Sequence, residues 1–129
     1  MNKKILIVGS VFGLISIGLG AFASHNLENL ITKDAIETFQ VGVRYQMYHA
    51  LLLLFVGSTL KIKPKSKQWI FRLTLVGVVL FSGSIYGLAT NTLTGFDFKT
   101  IGFVTPIGGL LLIVSWAIML LDFLKLKDE

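Results

Sequence analysis

Arg44, Tyr45, Gln46, Tyr48 and His49 are the side chains of this sequence with the most chemistry in them. They lie in one run, Phe39–Ala50, that leads directly into the apolar stretch Leu51–Leu60. A guanidinium can hold a phosphate or a carboxylate. An imidazole can exchange a proton near neutrality. Tyr45 and His49 stand at i and i+4, so on a helix they are neighbours. Such groups are costly in lipid and face a bundle interior or a water-filled cavity. Two readings follow. The run is structural, bonding helices to one another, or it forms a site for a ligand, a lipid headgroup or an ion.

Other functions have less support. His25 and His49 are the only histidines and have no acidic partner in the apolar segments, which makes a poor metal site. No serine has a plausible base and orienting acid, so no catalytic residue is nominated and no cofactor is expected. The absence of cysteine excludes disulfides and thiolate metal sites.

Something must hold the polar run inside a membrane. Charged residues make up 15% of the chain, against about 25% in soluble domains, so an integral membrane protein is expected. The net charge of +5 does not indicate nucleic acid, because the basic residues flank apolar runs. Four such runs are long enough to cross a ~30 Å core: about 5–23, 41–60, 69–90 and 101–123. The expected fold is an all-α bundle of four transmembrane helices in one domain, residues 1–129. Asp34, Ala35, Ile36, Glu37 and Phe39 suggest a short amphipathic helix between spans one and two, capped by Thr32 or Asp34. The first run also reads as a signal peptide ending at Ala21-Phe22-Ala23, which would leave three spans.

Lysine placement sets the orientation. With both termini cytoplasmic, the inner side holds Lys3, Lys4, Lys61, Lys63, Lys65, Lys67, Arg72, Lys125 and Lys127, and the outer half only Lys33, Arg44 and Lys99. The expected location is the plasma (inner) membrane, with lipids as partners; a homo-oligomer and a larger membrane complex both stay open.

Depth follows from the helix rise. Counting back from Lys61 puts Arg44 roughly 5 Å and His49 roughly 12 Å inside the outer boundary. Ser82, Ser84, Tyr86 and Thr105 fall in the same outer half, with His25 at the outer end of span one. These residues are the candidate ligand- or lipid-binding set. Arg44, Tyr45, Gln46 and His49 are expected to face the interior, Arg44 reaching outward from it to a lipid phosphate or to Glu28 or Asp34, with Val43, Met47, Ala50 and Leu54 facing lipid. Pro106 is expected to free the carbonyl of Gly102 in that layer. Gly9–Gly13 and Gly83–Gly87 are GxxxG pairs; with Gly108 and Gly109 they are the expected helix-packing positions. Gly9–Leu14 and Gly83–Leu88 are also alike enough to suggest a parallel internal repeat.

Four ordered motifs carry a resemblance across nearly the whole chain: Gly20-Ala21-Phe22-Ala23-Ser24-His25-Asn26-Leu27, Val43–Leu51, Phe81-Ser82-Gly83-Ser84-Ile85-Tyr86 and Thr105-Pro106-Ile107-Gly108-Gly109. They resemble the YwdK/YgdD-like family of small multi-pass bacterial membrane proteins. That family's first motif more often reads Gly-Ala-Phe-Gly-Ala-His-Gly-Leu, so Ala23, Ser24 and Asn26 depart from it. The resemblance implies location and architecture and brings no reaction. The expected role is structural, in membrane integrity or partner stabilisation; a small transporter or channel, and a headgroup-binding protein or membrane enzyme, are the alternatives.

Overall fold

The computed structural model describes residues 2–127. It is all-helical: α1 Asn2–His25, α2 Lys33–Ser58, α3 Pro64–Ala89 and α4 Val104–Leu124. Two short 3₁₀ turns, Asn91–Leu93 and Phe98–Ile101, fill the connection between α3 and α4. Three helices, α1, α3 and α4, are long and apolar enough to cross a membrane. The fourth, α2, has 26 residues, so about 39 Å of helix, but carries the polar run.

The expected separate amphipathic helix is absent. Its residues are the first turns of α2, which runs unbroken from Lys33. The cap explains this: the Thr32 hydroxyl accepts from the Ala35 N–H at 3.1 Å, and Asp34 lies in the first turn, where a carboxylate suits the positive helix end. No breaker follows, so the helix continues.

Neighbours in sequence are neighbours in space: α1 packs on α2, α2 on α3 and α3 on α4. Two apolar clusters hold the bundle. One, at the end rich in lysine, joins Ile5, Leu52, Leu53, Val56, Ile62, Ile70, Phe71 and Met119. The other joins Ala23, Leu27, Phe39, Val43 and Ala89.

The lysine-rich end is stitched by charge. Pro64 opens α3, where its missing N–H costs nothing. No side chain of that helix caps it. Instead Asp122 of α4 accepts from the Lys63 N–H at 3.0 Å and from the Ser66 hydroxyl at 2.8 Å. One turn on, the buried Lys67 ammonium donates to the carbonyl of Thr59, the C-cap of α2, and to Asn2 Oδ1 at 3.4 Å. A carboxylate thus sits at a helix start and an ammonium at a helix end, each where the helix dipole favours it.

The glycines divide into close-packed and open positions. A Cβ at Gly108 would lie 2.5 Å from the Phe81 backbone nitrogen, and one at Gly9 3.0 Å from the Ala50 carbonyl oxygen. Both mark tight helix crossings. At Gly13 and Gly109 the nearest atoms would be at 3.7 Å and 3.5 Å, an ordinary contact. Gly83 is a correction: a Cβ there meets nothing within 4 Å. Gly87 packs under the Phe98 ring of the second 3₁₀ turn, not under another long helix. The likeness between Gly9–Leu14 and Gly83–Leu88 therefore has no counterpart in packing.

Candidate functional site

The polar arc of α2 is wider than any one neighbour can cover, and the structure divides it. Gln46 and His49 are buried; Arg44 is exposed, and Tyr45 and Tyr48 remain 40% and 51% accessible. The expectation that all of the set faces the interior is corrected for Arg44 and Tyr45. The opposite side is corrected as well. Val43 and Ala50 are buried rather than lipid-facing, because α1 covers them. Its positions Gly9, Gly13 and Gly20 have no side chains and admit Leu53, Ala50, Met47 and Val43 in turn.

Gln46 is the hub of the layer. Its Nε2 donates to the Phe12 carbonyl of α1 at 2.9 Å, and its Oε1 accepts from the Tyr86 hydroxyl of α3 at 2.6 Å. Ser82 donates to the Gly42 carbonyl at 2.7 Å, which draws α3 against α2 where Gly42 lies flat under the Tyr86 ring. Ser84 and Thr105 pair at 2.5 Å and tie α3 to α4. His25 is exposed at the end of α1 and takes no part in this layer. Pro106 lies in the first turn of α4, which starts at Val104, so it frees no mid-helix acceptor at Gly102.

His49 has both ring nitrogens engaged. Nδ1 lies 2.7 Å from its own helix's Tyr45 carbonyl, an acceptor, so Nδ1 carries the proton. Nε2 accepts from the Trp116 indole N–H of α4 at 3.1 Å. The two bonds together define the neutral ring with the proton on Nδ1.

Trp116 is the residue that sequence reasoning missed. Its position offered a signal: it lies well inside an apolar helix, where an indole N–H needs an acceptor. Thr74 and Ser115 were missed likewise; they pair at 2.7 Å, fully buried, between α3 and α4. The lysine-rich half of the bundle contains this pair as well as Lys67 and Asp122.

Beside the layer, α2 and α4 both pack on α3 and leave a groove between them. It has a volume of about 420 Å³ and is lined by Tyr45, His49, Phe81, Gly109, Leu112, Ile113 and Trp116. Tyr45 rests on Phe81 with ring centroids 5.0 Å apart. Towards the start of α2 a second cleft, about 620 Å³, is lined by Arg44 together with Asp34, Glu37 and Gln40. Among the described residues Arg44 makes no ion pair. No buried side-chain nitrogen or oxygen among them lacks a partner, and no three His, Cys, Asp or Glu side chains gather where they could hold a metal.

Outside the bundle proper, the connection before α4 is ordered by one carboxylate. Asp97 accepts from the Asn91 side-chain amide and the Lys99 N–H, both at 3.1 Å. The Asn91 amide first, then the Lys99 backbone and charge, hold its carboxyl below the usual range.

Long apolar helices, interhelical polar bonds and glycine-lined crossings define a helical membrane protein. The comparisons agree. The family model "Protein of unknown function (DUF423)" matches residues 19–109. The UPF0382 membrane protein YwdK of Bacillus subtilis is 36% identical, over 95% of this chain and 98% of its own length. The UPF0382 inner membrane protein YgdD of Escherichia coli is 33% identical, over 99% and 95%. The UPF0382 membrane protein SSP2132 of Staphylococcus saprophyticus is 35% identical, over 96% and 99%. The chain belongs to this family of small membrane proteins. No solved structure matches it.

Proposed function

We propose that this chain is a plasma-membrane protein crossing four times, with both termini cytoplasmic, whose role is structural. It stabilises the membrane or a partner within it. Support for four crossings comes from α2. It is packed between α1 and α3, two of the apolar helices, so a chain that crosses through both must return through it. Lysine asymmetry supports the orientation.

The observation that carries the structural role is the fate of the polar layer. Gln46, Ser82, Ser84, Tyr86, Thr105 and His49 are all engaged in bonds within or between helices. Such bonds average only ~0.6 kcal/mol in membranes, but they set helix register. Cysteine labelling at positions 65 and 97 of intact cells tests the topology: only position 97 should react from outside. Flux of lipophilic cations or small solutes in proteoliposomes above that of empty vesicles would overturn the structural role in favour of transport.

A lipid-binding reading has its own support. Tyr45 lines the groove between α2 and α4, and the residue before it, Arg44, is exposed.

A further inference from the structure

We propose that the groove between α2 and α4 seats one acyl chain of a zwitterionic aminophospholipid, with the lipid phosphate at Arg44 and its ammonium at Glu37 and Asp34. The inference rests on the four-span reading above.

The groove is narrow beside a helix. Its wall from Gly109 to Trp116 spans about 10 Å of helix rise, so its volume of about 420 Å³ corresponds to a cross-section of roughly 40 Å². A helix about 10 Å across needs roughly twice that. One extended hydrocarbon chain suits it better. The walls are also chemically suited to hydrocarbon. Phe81 and Ile113 are apolar, and both His49 nitrogens and the Trp116 N–H are already bonded. A polar occupant would find few partners there.

Charge order along α2 selects the headgroup. At about 100° per residue, Asp34, Glu37, Val41, Arg44, Tyr45 and Tyr48 share one arc of about 100°. The stripe therefore leads from Tyr45 on the groove wall to Arg44, Glu37 and Asp34 on the charged cleft. Moving outward from the groove one meets a cation, Arg44, and then two carboxylates, Glu37 and Asp34. A phospholipid of the ethanolamine kind presents the complementary order: hydrocarbon, phosphate, primary ammonium. A headgroup with negative charge alone would meet both carboxylates. A quaternary ammonium would have no N–H to donate to them. Arg44 is available for a phosphate, since it is exposed and has no ion pair among the described residues.

Tryptophan quenching by brominated lipids tests this. The full-length chain with Trp69→Phe retains Trp116 as its one tryptophan, on the groove wall. It is reconstituted in phosphatidylcholine bilayers containing increasing fractions of phosphatidylethanolamine, phosphatidylcholine or phosphatidylglycerol brominated on the acyl chains. Brominated phosphatidylethanolamine should half-quench Trp116 at a several-fold lower mole fraction than the other two. Arg44→Gln and Glu37→Gln should erase that preference, and Ile113→Phe, which fills the groove from an exposed position, should weaken quenching by all three lipids. Thermal melts verify that these surface variants keep the fold. Equal quenching by the three lipids overturns the proposal, and so does a preference for brominated phosphatidylglycerol. Cysteine labelling that places positions 65 and 97 on one side would instead overturn the four-span reading beneath it.

Discussion

The Trp116 indole N–H donates to Nε2 of His49 at 3.1 Å, and this bond joins α4 to α2 on the wall of the groove between them. It also places the His49 proton on the far nitrogen, facing the Tyr45 carbonyl. Trp116→Phe keeps an aromatic side chain, though a smaller one, and removes the donor. It should lower stability by roughly 0.6–1.7 kcal/mol, the range of interhelical bonds in membranes. His49→Gln, which can still accept from the indole, should lose less than His49→Leu. Melting of the three variants in one detergent measures this order.

A comparable test applies to the hub. Tyr86→Phe leaves Gln46 Oε1 without its donor, and Gln46→Leu breaks the links to both α1 and α3. The second variant should melt lower than the first. Equal melting would mean that the Phe12 carbonyl bond contributes nothing to the pairing of α1 and α2.

Gly108 and Gly83 should respond in opposite directions to the same change. Gly108→Ala drives a methyl group against the backbone of α3, which cannot yield as a side chain can, and should cost about 1–3 kcal/mol. Gly83→Ala enters open space and removes a poor helix former, for a gain of up to about 1 kcal/mol. Paired thermal melts decide it.

Asp122 should behave as a helix cap supplied from another helix. Asp122→Ala leaves the Lys63 N–H and the Ser66 hydroxyl without their acceptor. A cap of this kind contributes about 1 kcal/mol, and its loss should appear as faster amide exchange over the first turn of α3. Exchange in the middle of α3 should be unchanged.

The Asp97 turn should loosen in acid. Its carboxyl is held below the ordinary value of 3.8 by Asn91 and Lys99, so its contribution is present above that pH and is lost as pH falls through the lower folded value. The protection of the Phe98 amide, whose N–H donates to Asn91 Oδ1 at 2.8 Å, relative to a free amide at the same pH, should fall over that window. In Asp97→Asn the protection of this amide, relative to the free amide at the same pH, should already be low at neutral pH and should change little on acidification.

The four long helices and part of the buried polar layer were legible in the sequence because hydropathy and depth depend on position along the chain. The helical neighbours of α2 were less legible. Its apolar side was assigned to lipid because Val43, Met47 and Ala50 look the same whether they meet acyl chains or another helix. Only α1, with its glycine face, decides between the two. The arc from Arg44 to His49 was visible as polar, yet which members are buried depends on how α3 and α4 splay. Trp116 was hidden for a related reason: an indole in an apolar segment reads as packing until its acceptor is seen. The cap from Asp122 was not legible, since nothing in the order of residues says that an aspartate at the end of one helix will serve the start of another.

The sequential packing of the four helices bears on how the protein is made. α1 is strongly apolar, whereas α2 carries Arg44, Gln46 and His49 and must bury two of them. The first partner available to α2 during synthesis is α1, already emerged, with the Phe12 carbonyl ready to receive Gln46. On the four-span reading proposed above, insertion as a hairpin satisfies part of the polar run before α3 exists, and Tyr86 and Trp116 complete it in turn as they follow. Each new helix meets its principal neighbour immediately, so assembly order and chain order coincide and no helix has to wait in lipid for a distant partner.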